Sequence, residues 1–460
     1  MSTPVQLRSA MLPSFGVPAR RPAIGADEHR ARMDALQAAV DSRWIVVYGD
    51  REHFANLTFL CGYDPRFEEA LLILGPARTL IVGLEGEAYA TLIPVALDVV
   101  VCPSLSLMGQ DRGTGPTLEE ALRAAGMRDG EDVAVVGWKA FESSEWALPV
   151  PALAAPAFLV DLLRHIVGVE HVADATAALT SPTAGLRARS SAAQIAVFEW
   201  AASRASEAVR RIVHAARPGM TEQGAVGAMG YAGEPLSVHV MFASGPEVAV
   251  GLRSPSSRAL EAGDAATTAV GLWGGLTCRA ALLSDGSNAA DTTYLEGLAL
   301  PYWHAVATWY ESLAIGVTGG EIHAAVLASL DGAGFAPALN PGHLVHLDEW
   351  VHSPIRPHAS DPIASGMTLQ CDIIPTTNRP GWVANCEDTV ALADAELRAA
   401  LGREYPDVWS RILARRAFMA DVLGVRIADE VLPLSNTPAW FPPFWLAPEQ
   451  IAARTPNDSR

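Results

Sequence analysis

Lysine is almost missing from this chain: of its 33 Lys and Arg residues only Lys139 is a lysine. Chemistry that depends on a lysine, such as a pyridoxal Schiff base or a phosphate-loop Lys, therefore has one candidate. It stands in GWKAFESSEW with no glycine-rich phosphate cradle beside it, which excludes both classes. Cysteine is scarce and odd in number, and Cys61, Cys102, Cys278, Cys371 and Cys386 show no CxxC or zinc-ribbon spacing. They read as buried free thiols in a reducing compartment. Positive charge is outnumbered, with 51 Asp and Glu against 33 cations and a net charge of -18, so a nucleic-acid partner is excluded. Long hydrophobic runs are missing as well. AYATLIPVALDVVVC is short and broken by Pro and Asp, which predicts no membrane span or membrane partner. The first residues lack the apolar core of a signal peptide, and the expectation is a cytoplasmic protein. GxSxG, HExxH and GxGxxG are also missing, against serine-hydrolase, zincin and dinucleotide-binding readings.

What is present is bulk apolar material. The 460 residues are 50% hydrophobic and 18% charged, enough for two or three domains with a large core. Residues 26–42 place Met33, Leu36, Ala39 and Val40 at helical spacing, WIVVYGD is a continuous apolar run, and EALLILGPARTLIV is a hairpin pattern bent at Gly-Pro. An α/β domain is expected over residues 1–182. SSAAQ then opens a long amphipathic helix: Ser191 and Gln194 have capping-box spacing, and Ile195, Phe198, Ala202, Ala205, Val209 and Ile212 share one face up to the Arg217-Pro218-Gly219 stop. A second, α+β domain is expected over 183–430. The tail over 431–460 carries Trp440, Phe441, Phe444 and Trp445, which would form an exposed apolar patch unless it packs on the body.

Six segments, in order, carry a resemblance: NLTFLCGYDPRFEEALLIL, RSSAAQIAVFEWAASRASEAVRRIVHAARPGMTE, SGPEVAVGLRSPSSRALEAGD, NPGHLVHLDEWVHSPI, GMTLQCDIIP and CEDTV. Together they resemble the creatinase, aminopeptidase P and methionine aminopeptidase superfamily over most of the chain. The resemblance implies a creatinase-like α/β N-terminal domain, a pita-bread catalytic domain, and a homodimer. Metallopeptidases of that family hold two divalent ions with two Asp, one His and two Glu. Matched position by position, His343 stands at the histidine, Asp372 at the first Glu and Glu387 at the last. Counting from Gly263-Asp264, Ala269 stands at the first Asp, and allowing one residue fewer in the hairpin puts Arg279 at the second. The family's histidine near Leu252 is missing, and the one after the metal-binding histidine corresponds to Trp350, so proton handling of the usual kind is lost.

The expected site is therefore His343, Asp372, Glu387 and Arg279, with His346, Trp350, Trp273 and Arg253 as candidate substrate contacts. His343, Asp372 and Glu387 are the ligands if one divalent ion (Mn, Fe, Zn or Co) is bound; with none bound, Arg279 neutralises a carboxylate. Asp348 and Glu349 form a surface pair or line the cleft. Cys278, Cys371 and Cys386 each precede a site position and, if those segments are strands, face away into the core. Three functions remain open. One is a hydrolase or lyase repurposed for C–N or related bond cleavage in a small molecule or short peptide, metal-free or with one ion. The second is a dinuclear Xaa-Pro aminopeptidase, if Asp285 or Asp291 takes part. The third is a non-catalytic binding protein.

Overall fold

The computed structural model describes residues 4–142, 144–248, 251–377 and 379–454. Ala249 and Val250 of the SGPEVAVGLRSP segment and residues 455–460 of the tail lie outside the described residues. The chain forms two compact units, Ala23–Ala188, and Met1–Pro22 together with Arg189–Arg460.

After β1 (Val5–Ser9), the smaller unit contains α1 (Ala26–Ala39) and strands β2 (Trp44–Gly49), β3 (Ala70–Leu74), β4 (Arg78–Val82), β5 (Asp98–Val101), β6 (Val133–Val136) and β7 (Val172–Asp174). Their order in the sheet is β5-β4-β3-β2-β6-β7. WIVVYG and ALLIL are apolar at consecutive positions because both faces of β2 and β3 are buried. The β3/β4 hairpin pairs Ala70 with Val82 through Leu74 with Arg78, placing Gly75-Pro76 in its turn. The parallel partners β2, β6 and β7 need crossovers. Helices α2 (Leu118–Ala124) and α3 (Ala157–Val167) supply them, burying Leu118, Leu122, Leu159, Leu163 and Ile166 with Trp44 and Val135.

The larger unit opens on α4 (Ala192–Ala215). Ser191 Oγ accepts the Gln194 N–H at 3.1 Å, and all six apolar residues of the predicted face are buried. Ser191→Ala is expected to cost about 1 kcal/mol, read as a lower urea midpoint at unchanged slope. The helix lies against a seven-stranded sheet of β8 (Met241–Ser244), β9 (Ala265–Leu272), β10 (Gly275–Leu282), β11 (His343–Leu344), β12 (Thr368–Cys371), β13 (Asn385–Leu392) and β14 (Val431–Pro433). The order is β11-β12-β13-β10-β9-β8, with β14 also on β13. Trp273-Gly274 makes the β9/β10 turn; Gly274 has φ +113°, and a Cβ there would come 2.1 Å from the Phe198 ring. That close approach is why the position takes glycine.

The first 22 residues do not belong with the N-terminal domain expected over 1–182. β1 pairs antiparallel with β15 (Gln450–Arg454), Val5 opposite Arg454 and Ser9 opposite Gln450, and Arg8 donates to Val422 O at 2.9 Å. A pairing between opposite chain ends leaves no local pattern to read. In the tail, Trp440, Phe441, Phe444 and Trp445 are buried, and the Trp445 N–H reaches Leu282 O at 2.9 Å.

Candidate functional site

Four adjacent strands of the larger sheet align one row of directly opposed residues: Met241, Ala269, Cys278 and Glu387. Opposed residues of a sheet share a face, and the next position along any strand points to the other side. Cys278 therefore shares the Glu387 face, and Arg279, opposite Cys386, lies beneath the sheet. This corrects the sequence-based placement of Arg279 in the site, and with it the expectation that Cys278 faces away. The hairpin is one residue shorter than assumed, so Cys278 rather than Arg279 stands opposite Ala269; a one-residue error in register inverts every side chain that follows. Cys371 and Cys386 do lie on the far face, fully buried.

Beneath the sheet Arg279 is fully buried. It donates to Asp388 Oδ2 at 2.7 Å, to Thr437 O and Trp440 O at 2.6 Å each, to Cys278 O at 2.7 Å and to Glu387 O at 2.9 Å. Asp388 also accepts from Thr437 Oγ1 at 2.7 Å and from the Ala439 N–H at 3.1 Å. Arg279 is thus an anchor between β10, β13 and the tail.

On the cleft face, Cys371 opposite Asp388 sets the register of β12 on β13, so the next step places Asp372 beside Glu387. His343, opposite Gln370 on the neighbouring strand, completes the corner. His343 Nδ1 meets Leu344 O at 3.2 Å, which leaves Nε2 aimed inward, 3.1 Å from Glu349 Oε1 and 3.9 Å from Glu387 Oε1. Trp350 stacks on the imidazole, centroids 4.1 Å apart at 20°, and is 42% exposed, which fits a wall open to a ligand. Burial pushes the Asp372 carboxyl up to about 6 against the pull of His343, while Asn385 donates to it. Burial, then Asp372 and Glu349, push Glu387 far above the carboxylate range. Burial lowers His343, but the hydrogen bond and charge of Glu349 outweigh it and the imidazole ends above its ordinary value.

Three other candidates lie elsewhere. His346, past the end of β11, is buried edge-on against Phe198 of α4, centroids 4.9 Å apart. Trp273 occupies the β9/β10 turn with the Arg21 guanidinium 5.7 Å above its ring. That is four residues past Ala269, about 13 Å along the strand. Arg253 binds Glu222 at 2.7 Å and Glu247 at 2.9 Å, so it pairs with neither Asp372 nor Glu387. Glu222 also accepts from Ser244 and Ser256; burial opposes its ionisation, yet these donors hold it down at about 2. Asp285 is engaged with the Ser287 N–H and Asp291 with Ser284, both past the end of β10.

Glu349 joins the site from the loop after the histidine strand, where sequence spacing alone does not tell which of Asp348 and Glu349 turns inward. Asn385 was legible in principle, standing two residues before Glu387 and so on its face.

One divalent ion fits this corner. His343, Glu349 and Glu387 each offer a ligand atom within 4.8 Å of the others, and Asp372 Oδ1 is buried with no hydrogen-bond partner. Asp372, Glu349 and Glu387, without Arg279, carry a formal -3, and burial together with their neighbours' charge raises the Asp372 and Glu387 carboxyls, which favours a cation at this corner. Met241, Ala269 and Cys278 at the other end of the row bring no carboxylate for a second ion.

A profile of metallopeptidase family M24 matches residues 197–432. No protein of curated function matches the chain. Among solved structures it is similar to a Thermococcus sibiricus prolidase, at 14% identity and TM-score 0.62, over 81% of this chain and 95% of that one. A Bacillus anthracis Xaa-Pro dipeptidase is similar at 15% identity and TM-score 0.59, over 80% and 96%. The dipeptidase PepE of Mycobacterium ulcerans is similar at 21% identity and TM-score 0.57, over 80% and 94%. These likenesses share the two-domain fold with a pita-bread catalytic domain.

Proposed function

The chain belongs to metallopeptidase family M24, and on that premise we propose that it is a hydrolase holding a single divalent ion and cleaving a C–N bond in a small molecule or short peptide. The observation that carries this reading is the convergence of His343, Glu349 and Glu387 within 4.8 Å at one end of a row whose other end is apolar. The neighbours named as Xaa-Pro dipeptidase and prolidase support an amide as the bond attacked. An ion held by His343, Glu349 and Glu387 would supply Lewis acidity toward a carbonyl oxygen.

The chain's own groups do the rest. The Leu344 carbonyl accepts from His343 Nδ1, which would leave the Nε2 lone pair for an ion in place of the proton that Nε2 otherwise shares with Glu349. Glu387 and Asp372 form the floor, and Asn385 orients Asp372. Glu349, with 24% of its side chain exposed, is the carboxylate at the mouth and accepts a proton from an incoming nucleophile. Trp350 covers the imidazole and limits water on that side. The five cysteines are buried and unbridged, which supports a reducing compartment; no helix among the described residues is long and apolar enough to cross a membrane.

The test is metal stoichiometry by mass spectrometry on protein dialysed against Mn, Fe, Zn or Co. One equivalent is expected, lost in His343→Ala. Two equivalents, or one that survives that substitution, would exclude the single-ion reading.

A further inference from the structure

The floor of the cleft changes chemistry halfway along one row. Glu387 stands at the polar end, and Met241, Ala269 and Cys278 continue the row over three strands as part of one apolar cluster with Leu276. This cluster is not sealed core. Met241, Ala269 and Cys278 keep 8%, 5% and 8% exposure, like Glu387 at 5% and Asp372 at 6%, whereas Thr268, Arg279, Cys386 and Asp388 on the other face of the same strands keep 0%. The apolar residues and the carboxylates therefore share one face of the sheet, and each keeps a little exposure there. Strands lie about 4.8 Å apart, so Met241 to Cys278 spans about 10 Å, room for an extended alkyl chain or an aromatic group.

We propose that this apolar half-floor is a specificity subsite: the substrate group beside the cleaved bond, on the β8–β9 side, is neutral and apolar, and substrates that place an ammonium there are rejected. The proposal deepens the hydrolase reading and rests on His343 and Glu387 as the reacting corner. An ammonium over Met241, Ala269 and Cys278 loses water and gains no counter-charge from them, a cost that an alkyl group replaces with favourable burial. Cys278 brings a thiol rather than a carboxylate to this surface, its Sγ 3.6 Å from Thr267 Oγ1.

The experiment compares hexanohydroxamate with 6-aminohexanohydroxamate, equal in length and chelating group, by calorimetry on the full-length protein loaded with its metal. At least tenfold tighter binding of the alkyl probe is expected. Ala269→Asp should bring the ratio near one or invert it. If that variant does not fold, Cys278→Ser, nearly isosteric, should lower alkyl affinity several-fold at unchanged metal content. Equal affinities, a preference for the ammonium, or no binding of either probe to metal-loaded protein would overturn the subsite. Should the protein bind no metal, the hydrolase reading fails separately. Hexanamide and 6-aminohexanamide, which need no ion, then decide the subsite by the same ratio.

Discussion

Arg279→Ala is expected to lower folding stability by about 3–5 kcal/mol, the cost of leaving a buried carboxylate without its partner. Asp388 would keep only Thr437 Oγ1 and the Ala439 N–H, and the carbonyls of Trp440, Thr437, Cys278 and Glu387 would each lose a donor. Because Arg279 ties β10 and β13 to the tail, the loss should appear as a drop in the guanidinium midpoint and as faster proteolysis near Trp440. Metal content per folded molecule should not change, since the guanidinium lies on the face away from His343. An Arg279 variant that folds normally but loses or alters metal binding would return Arg279 to the site and sink the register argument. A double change of Arg279 and Asp388 to apolar residues should recover part of the stability, because neither charge is then left unpaired.

The opposite signature is expected of Glu387→Gln. Glu387 is a buried carboxyl pushed up by burial and by Asp372 and Glu349, so removing its charge relieves repulsion in the protein without metal. Melting temperature without metal should be unchanged or higher. Affinity for the divalent ion should fall by about 100-fold or more, since even outer-shell partners of a metal site are worth about 10–100-fold and Glu387 is proposed as a direct ligand. Hydrolysis should fall with it. Metal titration and thermal melting on the same preparation check both halves. A variant that binds metal like the parent, or one that melts several degrees lower without metal, would remove Glu387 from the ligand set. Such a trade, stability surrendered to hold function, is what a cluster of like charges in a cleft implies.

Much of the fold was legible for reasons that can be named. The α4 helix announces itself by Ser191 at its cap and an apolar face repeating from Ile195 to Ile212, and the β3/β4 hairpin by two apolar runs around Gly-Pro. His343, Asp372 and Glu387 fall together in the structure because each stands on, or one step past, a strand whose alternation sets its face. Arg279 failed on a single residue of register. Its charge suggested a partner for Asp372 or Glu387, while the sheet turned it to Asp388. His346 and Trp273 failed because neighbourhood in sequence, or aromatic character, says nothing of direction. Glu349 was one of two acids on an irregular loop, and only the path of that loop chooses between them.

The sequence by itself determined the class of chain: acidic, nearly free of lysine, rich enough in apolar residues for large cores, with its elements in an order that resembles one superfamily. It also puts no carboxylate at the two positions matched to the family's Asp ligands, Ala269 and either Cys278 or Arg279. Only the tertiary structure decided which residue that is, since the pairing of β9 with β10 fixes whether Cys278 or Arg279 enters the cleft. It likewise decided that the first residues pair with the last, and that an apolar floor continues the carboxylate corner. The physical reason is the same in each case: composition and periodicity are local properties, whereas the face a side chain occupies is set by strand register, a relation between residues far apart in the chain.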